Sequence, residues 1–136
     1  ELAKLVGASG HVISADLQNG MLQELSRKIK GTMVEARITT VQCQRDTINV
    51  SEKVDFILAF YMVHEVPDKV ALFEQMRAVL KKNGTLLLVE PKLFHVSRRD
   101  FESTLAVAKN AGFTISQGPK LLLSWSAVLG DSLVAA

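Results

Sequence analysis

Two stretches of this chain, VDFILAF (54–60) and TLLLVEP (85–91), are apolar almost without a break. A strand with one wet face alternates apolar and polar residues. An unbroken apolar run of strand length therefore demands cover on both faces. The cover is legible in the segments between. Met21, Leu22, Leu25 and Ile29 recur at helical spacing in 19–30, and Gly31 follows. Val70, Phe73, Met76, Val79 and Leu80 do the same in a helix expected to open at Pro67, run to about Lys82 and stop at Asn83-Gly84. Ser97-x-x-Asp100 has the form of a capping box and opens a third helix, closed by Gly112. Strands are expected at 11–16 and at the β-branched ITTVQCQ (38–44). TISQ (114–117) and KLLLSWSAVLG (120–130), separated by Gly118-Pro119, read as an antiparallel pair. At the start, Leu2, Leu5 and Val6 share a helical face, with Gly7 placed to end that helix. The sum is an α/β fold: a doubly wound, mostly parallel sheet with a C-terminal antiparallel hairpin.

With 136 residues, one domain is expected, 1–136. Sixteen basic against fourteen acidic side chains is too even to name nucleic acid or a membrane as the main partner. The lone Cys43 has no internal disulfide partner, which points to a reducing, cytoplasmic setting. No apolar run reaches membrane-spanning length and the start lacks a signal-peptide core.

In doubly wound sheets, ligands bind beyond the carboxyl ends of the strands. That directs attention to Asp16, Asp46, Phe60 to Glu65, and Glu90. An acid closing a strand of such a sheet can take both hydroxyls of a ribose, since a carboxylate offers two acceptor oxygens to a vicinal diol. Asp16 also fits a plainer role as cap or turn former for helix 19–30. In dinucleotide-binding folds the acid lies about 20 residues after a glycine-rich turn. Counting back from Asp16 places that turn before residue 1, so a strand and its glycines are expected upstream.

ELAKLVGASGHVISADLQNGML, VDFILAFYMVHEVPDKVALFEQMRAVLKKNGTLLLVEP and AGFTISQGPKLLLSWSAVLG together resemble the class I S-adenosylmethionine-dependent methyltransferases. The likeness is to the small-molecule type that includes ubiquinone and menaquinone biosynthesis enzymes. The resemblance covers essentially the whole chain, and KNGTLLLVEP is its most specific part. It implies a Rossmann-like methyltransferase fold with the first strand missing and the last strand antiparallel. It also implies S-adenosylmethionine as cofactor and a small-molecule methyl acceptor. Asp16 would bind the ribose, Leu17 and Gln18 would pack beside the adenosine, and Met21 would touch the adenine. Asp46 would accept from the adenine amino group, and Phe60 and Tyr61 would line the sulfonium and methionine portion. The family's glycine-rich motif has no counterpart within these residues. The gap it leaves lies between strands 11–16 and 54–60. Three ways of closing it are expected: further residues upstream, direct pairing of those two strands, or a second chain in the slot.

His64 and Glu65 are the one neighbouring titratable pair at a strand's ligand end. His64 reads equally as a general base toward the acceptor and as a hydrogen-bonded loop residue, and Glu65 reads better as a capping residue. Neither has the i, i+4 partner of a zinc-binding pair, so no metal is expected. Cys43, Trp125, Met33 and Met76 read as packing residues, and His95, Arg98 and Arg99 as solvated surface or acceptor rim. Glu90 reads as a strand-terminating turn or a pocket carboxylate. Two other functions fit parts of the pattern: a nicotinamide-dependent oxidoreductase, and a catalytically silent interaction module.

Overall fold

The computed structural model describes residues 1–131. The chain has two compact units, Glu1–Val50 and Ser51–Ala136, described here in turn.

The first unit contains a short helix α1 (Leu2–Leu5), strand β1 (Val12–Asp16), helix α2 (Asn19–Ile29) and strand β2 (Ile38–Gln42). β1 and β2 pair in parallel, from Val12 opposite Ile38 to Asp16 opposite Gln42. α2 packs on both strands and buries Leu22. It ends as expected, with Gly31 at φ +74°, a left-handed geometry that costs glycine nothing. Two expectations need correction. β2 stops at Gln42, so Cys43 and Gln44 lie beyond the strand. In α1 the buried residue is Ala3, while Leu2, Leu5 and Val6 are exposed.

The second unit is a four-stranded sheet in the order β3-β4-β6-β5, formed by Val54–Phe60, Leu80–Pro91, Ser124–Asp131 and Phe113–Gln117. β3 and β4 are parallel, and β6 runs antiparallel to both its neighbours. The last strand thus inserts between β4 and β5 instead of adding at the edge, which makes it the one reversed strand of this sheet. Helices α3 (Lys69–Val79) and α4 (Arg98–Asn110) pack together. Phe73, Met76, Leu86, Leu88, Phe113 and Leu129 fill the core, with the Phe73 and Phe113 rings edge to face.

Local chemistry explains the helix boundaries. Asp68, not Pro67, caps α3: its carboxylate accepts from Ala71 N–H at 2.9 Å, and Pro67 precedes the cap. α3 ends at Val79, three residues earlier than expected. Leu80 already pairs with Val54, and a bulge carries the chain through Asn83 at φ +65° to Thr85. Val70 is exposed instead of buried. The Ser97–Asp100 capping box is formed reciprocally.

The hairpin expectation holds for β5 and β6, but β6 begins only at Ser124. Leu121, Leu122 and Leu123, read from sequence as strand, form an exposed loop. β1 pairs with β2 alone within the first unit's sheet. β3 has β4 on one side and no ladder partner on the other among the described residues.

Candidate functional site

At the carboxyl end of β1, Asp16 sits opposite Gln42, and its backbone carbonyl accepts from Cys43 N–H at 2.9 Å. Its side chain folds into a turn: Oδ1 accepts from Gln18 N–H at 2.7 Å. The plainer reading of Asp16 is therefore partly realised, as a turn former two residues before α2. The helix cap itself is Gln18, which makes no side-chain capping bond. One accepted bond leaves most of a carboxylate's acceptor capacity unused, so the same acid, now held in one orientation, retains lone pairs for a diol. Leu17 and Met21 beside it are each 53% exposed, an apolar pair that solvent reaches. Asp46 lies past β2 on an exposed turn that Gln44 N–H closes onto Thr47 C=O at 2.8 Å. Cys43 S–H donates to Ile48 C=O at 3.4 Å. Burial pushes the Cys43 thiol above its ordinary range, and the nearby charge of Asp16 adds to this.

In the second unit the centre of the arrangement is Glu90, 1% exposed at the end of β4. Its Oε1 accepts from Met62 N–H at 3.1 Å and Val63 N–H at 3.0 Å. Its Oε2 accepts from His64 N–H at 3.0 Å and lies 2.6 Å from His64 Nδ1. The source of those donors is local. Residues 63–65 form one turn of 3₁₀-helix, and the first N–H groups of a helix have no partner within it. Tyr61 aims them inward by adopting φ +55°, a left-handed conformation that bulky residues rarely accept. A carboxylate that accepts three backbone N–H groups is an acceptor throughout. The imidazole contact must then be Nδ1–H donating to Glu90, which leaves Nε2 with the lone pair in the neutral ring.

The His64 side chain is 20% exposed, and Nε2 is 3.9 Å from the outward-facing carboxylate of Glu65. An imidazole fixed at one nitrogen by a buried carboxylate, with the other nitrogen at the surface, can take a proton and hold the resulting charge between two acids. Beside it, the Phe60 and Tyr61 rings stack at 4.2 Å and are 54% and 38% exposed. The Tyr61 hydroxyl is hydrogen-bonded to Ser124 Oγ at 2.6 Å, which fixes the tyrosine ring. His95 lies 6.0 Å from His64, ring to ring. No group of three or more His, Cys, Asp or Glu among the described residues is arranged to hold a metal.

Of the residues singled out from sequence, Asp16, Leu17, Gln18 and Met21 are brought together at the β1–α2 turn, with Asp46 on a separate exposed turn. Phe60, Tyr61 and His64 are brought together at the β3 end. Glu90, read from sequence as a strand-terminating turn or a pocket carboxylate, was not read as the partner of His64 and of the 62–64 N–H groups. Its one signal was a carboxylate closing an otherwise apolar strand in TLLLVEP.

Comparison with known proteins was made against this geometry. Residues 1–84 match the family described as methyltransferase domain. A ubiquinone/menaquinone biosynthesis C-methyltransferase of Vibrio cholerae is 31% identical over 91 residues, which is 66% of this chain and 35% of that protein. A ubiquinone biosynthesis O-methyltransferase of Histophilus somni is 30% identical over 98 residues, 71% of this chain and 39% of that protein. The match thus spans between a third and two-fifths of these relatives' length. Among solved structures, a SAM-dependent methyltransferase from Aquifex aeolicus superposes with a TM-score of 0.74 at 20% identity, over 94% of this chain and 71% of that one. A TehB-like SAM-dependent methyltransferase from Corynebacterium glutamicum gives 0.73 at 14% identity, over 95% and 72%. At such identities these two structures speak to the fold, which is the Rossmann-like methyltransferase fold.

Proposed function

From the premise that this chain belongs to the methyltransferase-domain family of class I enzymes, whose cofactor is S-adenosylmethionine, we propose that it binds that cofactor and methylates a small, hydroxylated aromatic acceptor whose proton passes to His64. When bound, the cofactor supplies a methyl carbon already activated by a positively charged sulfur. The protein is left to align the acceptor, exclude water and manage one proton.

The residues fit these tasks. Asp16, held by the Gln18 N–H bond, receives the ribose diol on its unused lone pairs. Leu17, Gln18 and Met21 flank the adenosine, and Asp46 accepts from the adenine amino group. Phe60 and Tyr61 line the methionine side. An acceptor ring meets an exposed aromatic pair, which favours stacking. O-methylation and C-methylation of a hydroxylated ring share a first demand, removal of a hydroxyl proton. In the first case the oxygen becomes the nucleophile. In the second its electrons enrich the ring carbon, which takes the methyl and then loses its own hydrogen as a proton so that the ring becomes aromatic again. The neutral thioether leaves in both cases. His64 Nε2 takes that proton, and the imidazolium then lies between Glu90 and Glu65. The relatives include one enzyme of each kind, which accords with a base that serves either outcome.

The observation that carries this reading is the 2.6 Å contact of His64 Nδ1 with buried Glu90, which leaves Nε2 as the outward base. The test uses labelled S-adenosylmethionine with a hydroxylated ring acceptor. Replacing His64 with Gln should lower kcat by about 10²- to 10⁴-fold and leave cofactor affinity as it was. A variant that turns over at the parent rate would remove His64 from the chemistry. Calorimetric titration with S-adenosylmethionine and with NAD checks the cofactor, and a folded sample that takes up neither would favour the silent module.

A further inference from the structure

The first unit holds a cleft that methyl transfer does not use. It lies between α2 and β2, with a volume of about 630 Å³, inside the roughly 300–1,000 Å³ range of small-molecule sites. α2 contributes Asn19, Gln23 and Arg27, all on one helical face, and β2 contributes Thr40 and Gln42. Buried Leu22 is the one apolar residue of the lining. Met21, expected at the adenine, is two residues from Asn19 and so about 200° round the helix, on its far flank.

A strand face that packs under a helix is ordinarily apolar. Here Thr40 and Gln42, two apart and therefore on one face of β2, meet the helix with polar groups, and Ser14 stands opposite Thr40 in the ladder. Polar residues at packing positions mark a place where the sequence serves something besides its fold. The donors in the cleft are also unspent. Among the described residues, the side chains of Asn19, Gln23, Arg27 and Thr40 have no hydrogen-bond or ion-pair partner. Glu24 has Arg27 at i+3 and Lys28 at i+4, and it pairs with Lys28 at 2.7 Å, which leaves the guanidinium over. A cation in the last turn of α2 suits the helix dipole, but Lys28 already supplies one. No acid lines the cleft to neutralise Arg27.

We propose that this cleft is a second binding site, which takes a small polar molecule by its oxyanion, a phosphate or a carboxylate, with Arg27 as the anchor. A guanidinium presents parallel N–H groups to two oxygens of such a group, and this fork is the geometry an ammonium lacks. The Thr40 hydroxyl and the amide N–H groups of Gln23 and Asn19 add donors around the same centre, while their carbonyl oxygens accept from hydroxyls on the rest of the ligand. Gln42 N–H reaches Leu17 C=O at 3.4 Å, which leaves its amide oxygen for the same use. The cleft is far larger than a bare ion, so its ligand carries a hydroxylated body beside the charge.

The test is NMR titration of the full, nitrogen-labelled chain with glycerol phosphate, glycerate and glycerol at constant ionic strength. It requires neither cofactor nor acceptor, so its result is independent of the methyl-transfer reading. At least one of the two anions should give saturable shifts at the Arg27 guanidinium and Thr40 N–H, with a Kd of about 5 mM or tighter, and glycerol should give none. The anion that binds more tightly identifies the oxyanion. Arg27→Gln should weaken binding by at least about tenfold, whereas Lys30→Gln, past the end of the same helix, should change it by less than about twofold. Both positions are exposed, and an unchanged melting temperature confirms that each variant folds. Saturating S-adenosylmethionine should leave the Kd of the anion as it was. Absence of a saturable shift with either anion, equal binding of glycerol, or an Arg27→Gln chain that binds as the parent does would overturn the proposal. So would competition with S-adenosylmethionine, because the cleft would then be part of the cofactor's own site.

Discussion

Replacing Glu90 with Gln changes one oxygen to NH₂ and nothing in shape. Four donors converge on this side chain: Met62, Val63 and His64 N–H and the His64 imidazole. The amide can turn its NH₂ toward Met62 and Val63, which strands two buried backbone donors. At about 1–3 kcal/mol for each stranded donor, this costs about 2–6 kcal/mol. Alternatively the NH₂ faces His64. The imidazole then shifts its proton to Nε2 so that Nδ1 can accept, and only His64 N–H is stranded, at about 1–3 kcal/mol. The second arrangement costs less and should prevail. The predicted result is a loss of about 1–3 kcal/mol. In a unit of this size that lowers the melting temperature by roughly 4–8 °C per kcal/mol, and it inverts the His64 tautomer. Thermal denaturation reads the first effect and nitrogen NMR of the imidazole reads the second. His64→Ala is the control. It removes one donor and leaves Glu90 with three backbone partners, so His64→Ala should leave the backbone turn intact. A Glu90→Gln protein that melts with the parent and keeps Nδ1 protonated would refute the network.

Other expectations are more local. Asp16→Ala should weaken S-adenosylmethionine binding by about 1.5–3 kcal/mol in a calorimetric titration, the range for hydrogen bonds to a charged group; unchanged affinity would return Asp16 to turn formation alone. Cys43, its thiol raised first by burial and then by Asp16, should be alkylated more slowly than a free thiol at the same pH, and Asp16→Asn should speed the reaction in the alkaline range. The Ser97 hydroxyl and N–H hold the Asp100 carboxyl below its ordinary value. A depressed carboxyl adds stability above its unfolded value and loses it as pH falls through the folded value. Asp100→Asn should therefore flatten the acid limb of a stability profile, while Ser97→Ala should cost about 1 kcal/mol at neutral pH.

The alternation of strands and helices was readable because it rests on periodicity and punctuation, which are local. Gly31 and the Ser97–Asp100 box ended and began helices where their chemistry required. The failures are places where a distant partner decides. KLLLSWSAVLG has one apolar texture throughout, yet β6 starts at Ser124 because the β4 ladder ends there, at Pro91 opposite Ser124. One further bond, from Lys92 N–H to Leu123 C=O at 3.0 Å, reaches past the ladder, and β4 itself stops at Pro91. Leu80 is apolar enough for a helix stripe, but its pairing with Val54 makes it strand. Asp16 was legible as a strand-ending acid, whereas its bond to Gln18 N–H required coordinates. The coupling of His64 to Glu90 spans 26 residues and two strand ends. Spacing carries no trace of it, and Tyr61, which turns the donors inward, gives no sequence sign of a left-handed conformation.

The dependence of His64 on Glu90 has a consequence for how this region can vary. The carboxylate that fixes the imidazole also caps the 63–65 turn, so position 90 serves folding and, under the proposed proton transfer, the orientation of the base. Buried groups of this kind tolerate no substitution that keeps one role and drops the other: Gln preserves shape and strands donors, Asp is one methylene short of the turn, and Leu satisfies nothing. Position 64 is free of this constraint, because the turn keeps three backbone donors on Glu90 whatever side chain follows. A chain that had lost the chemistry while keeping the fold would therefore drift at 64 and hold 90, and a chain under selection for proton transfer would hold both. Saturation mutagenesis with separate selections for folding and for methyl transfer makes the distinction: position 90 should be restricted in both, and position 64 in the second alone. Restriction at 64 under selection for folding would mean that the imidazole is a structural strut and that the proton goes elsewhere.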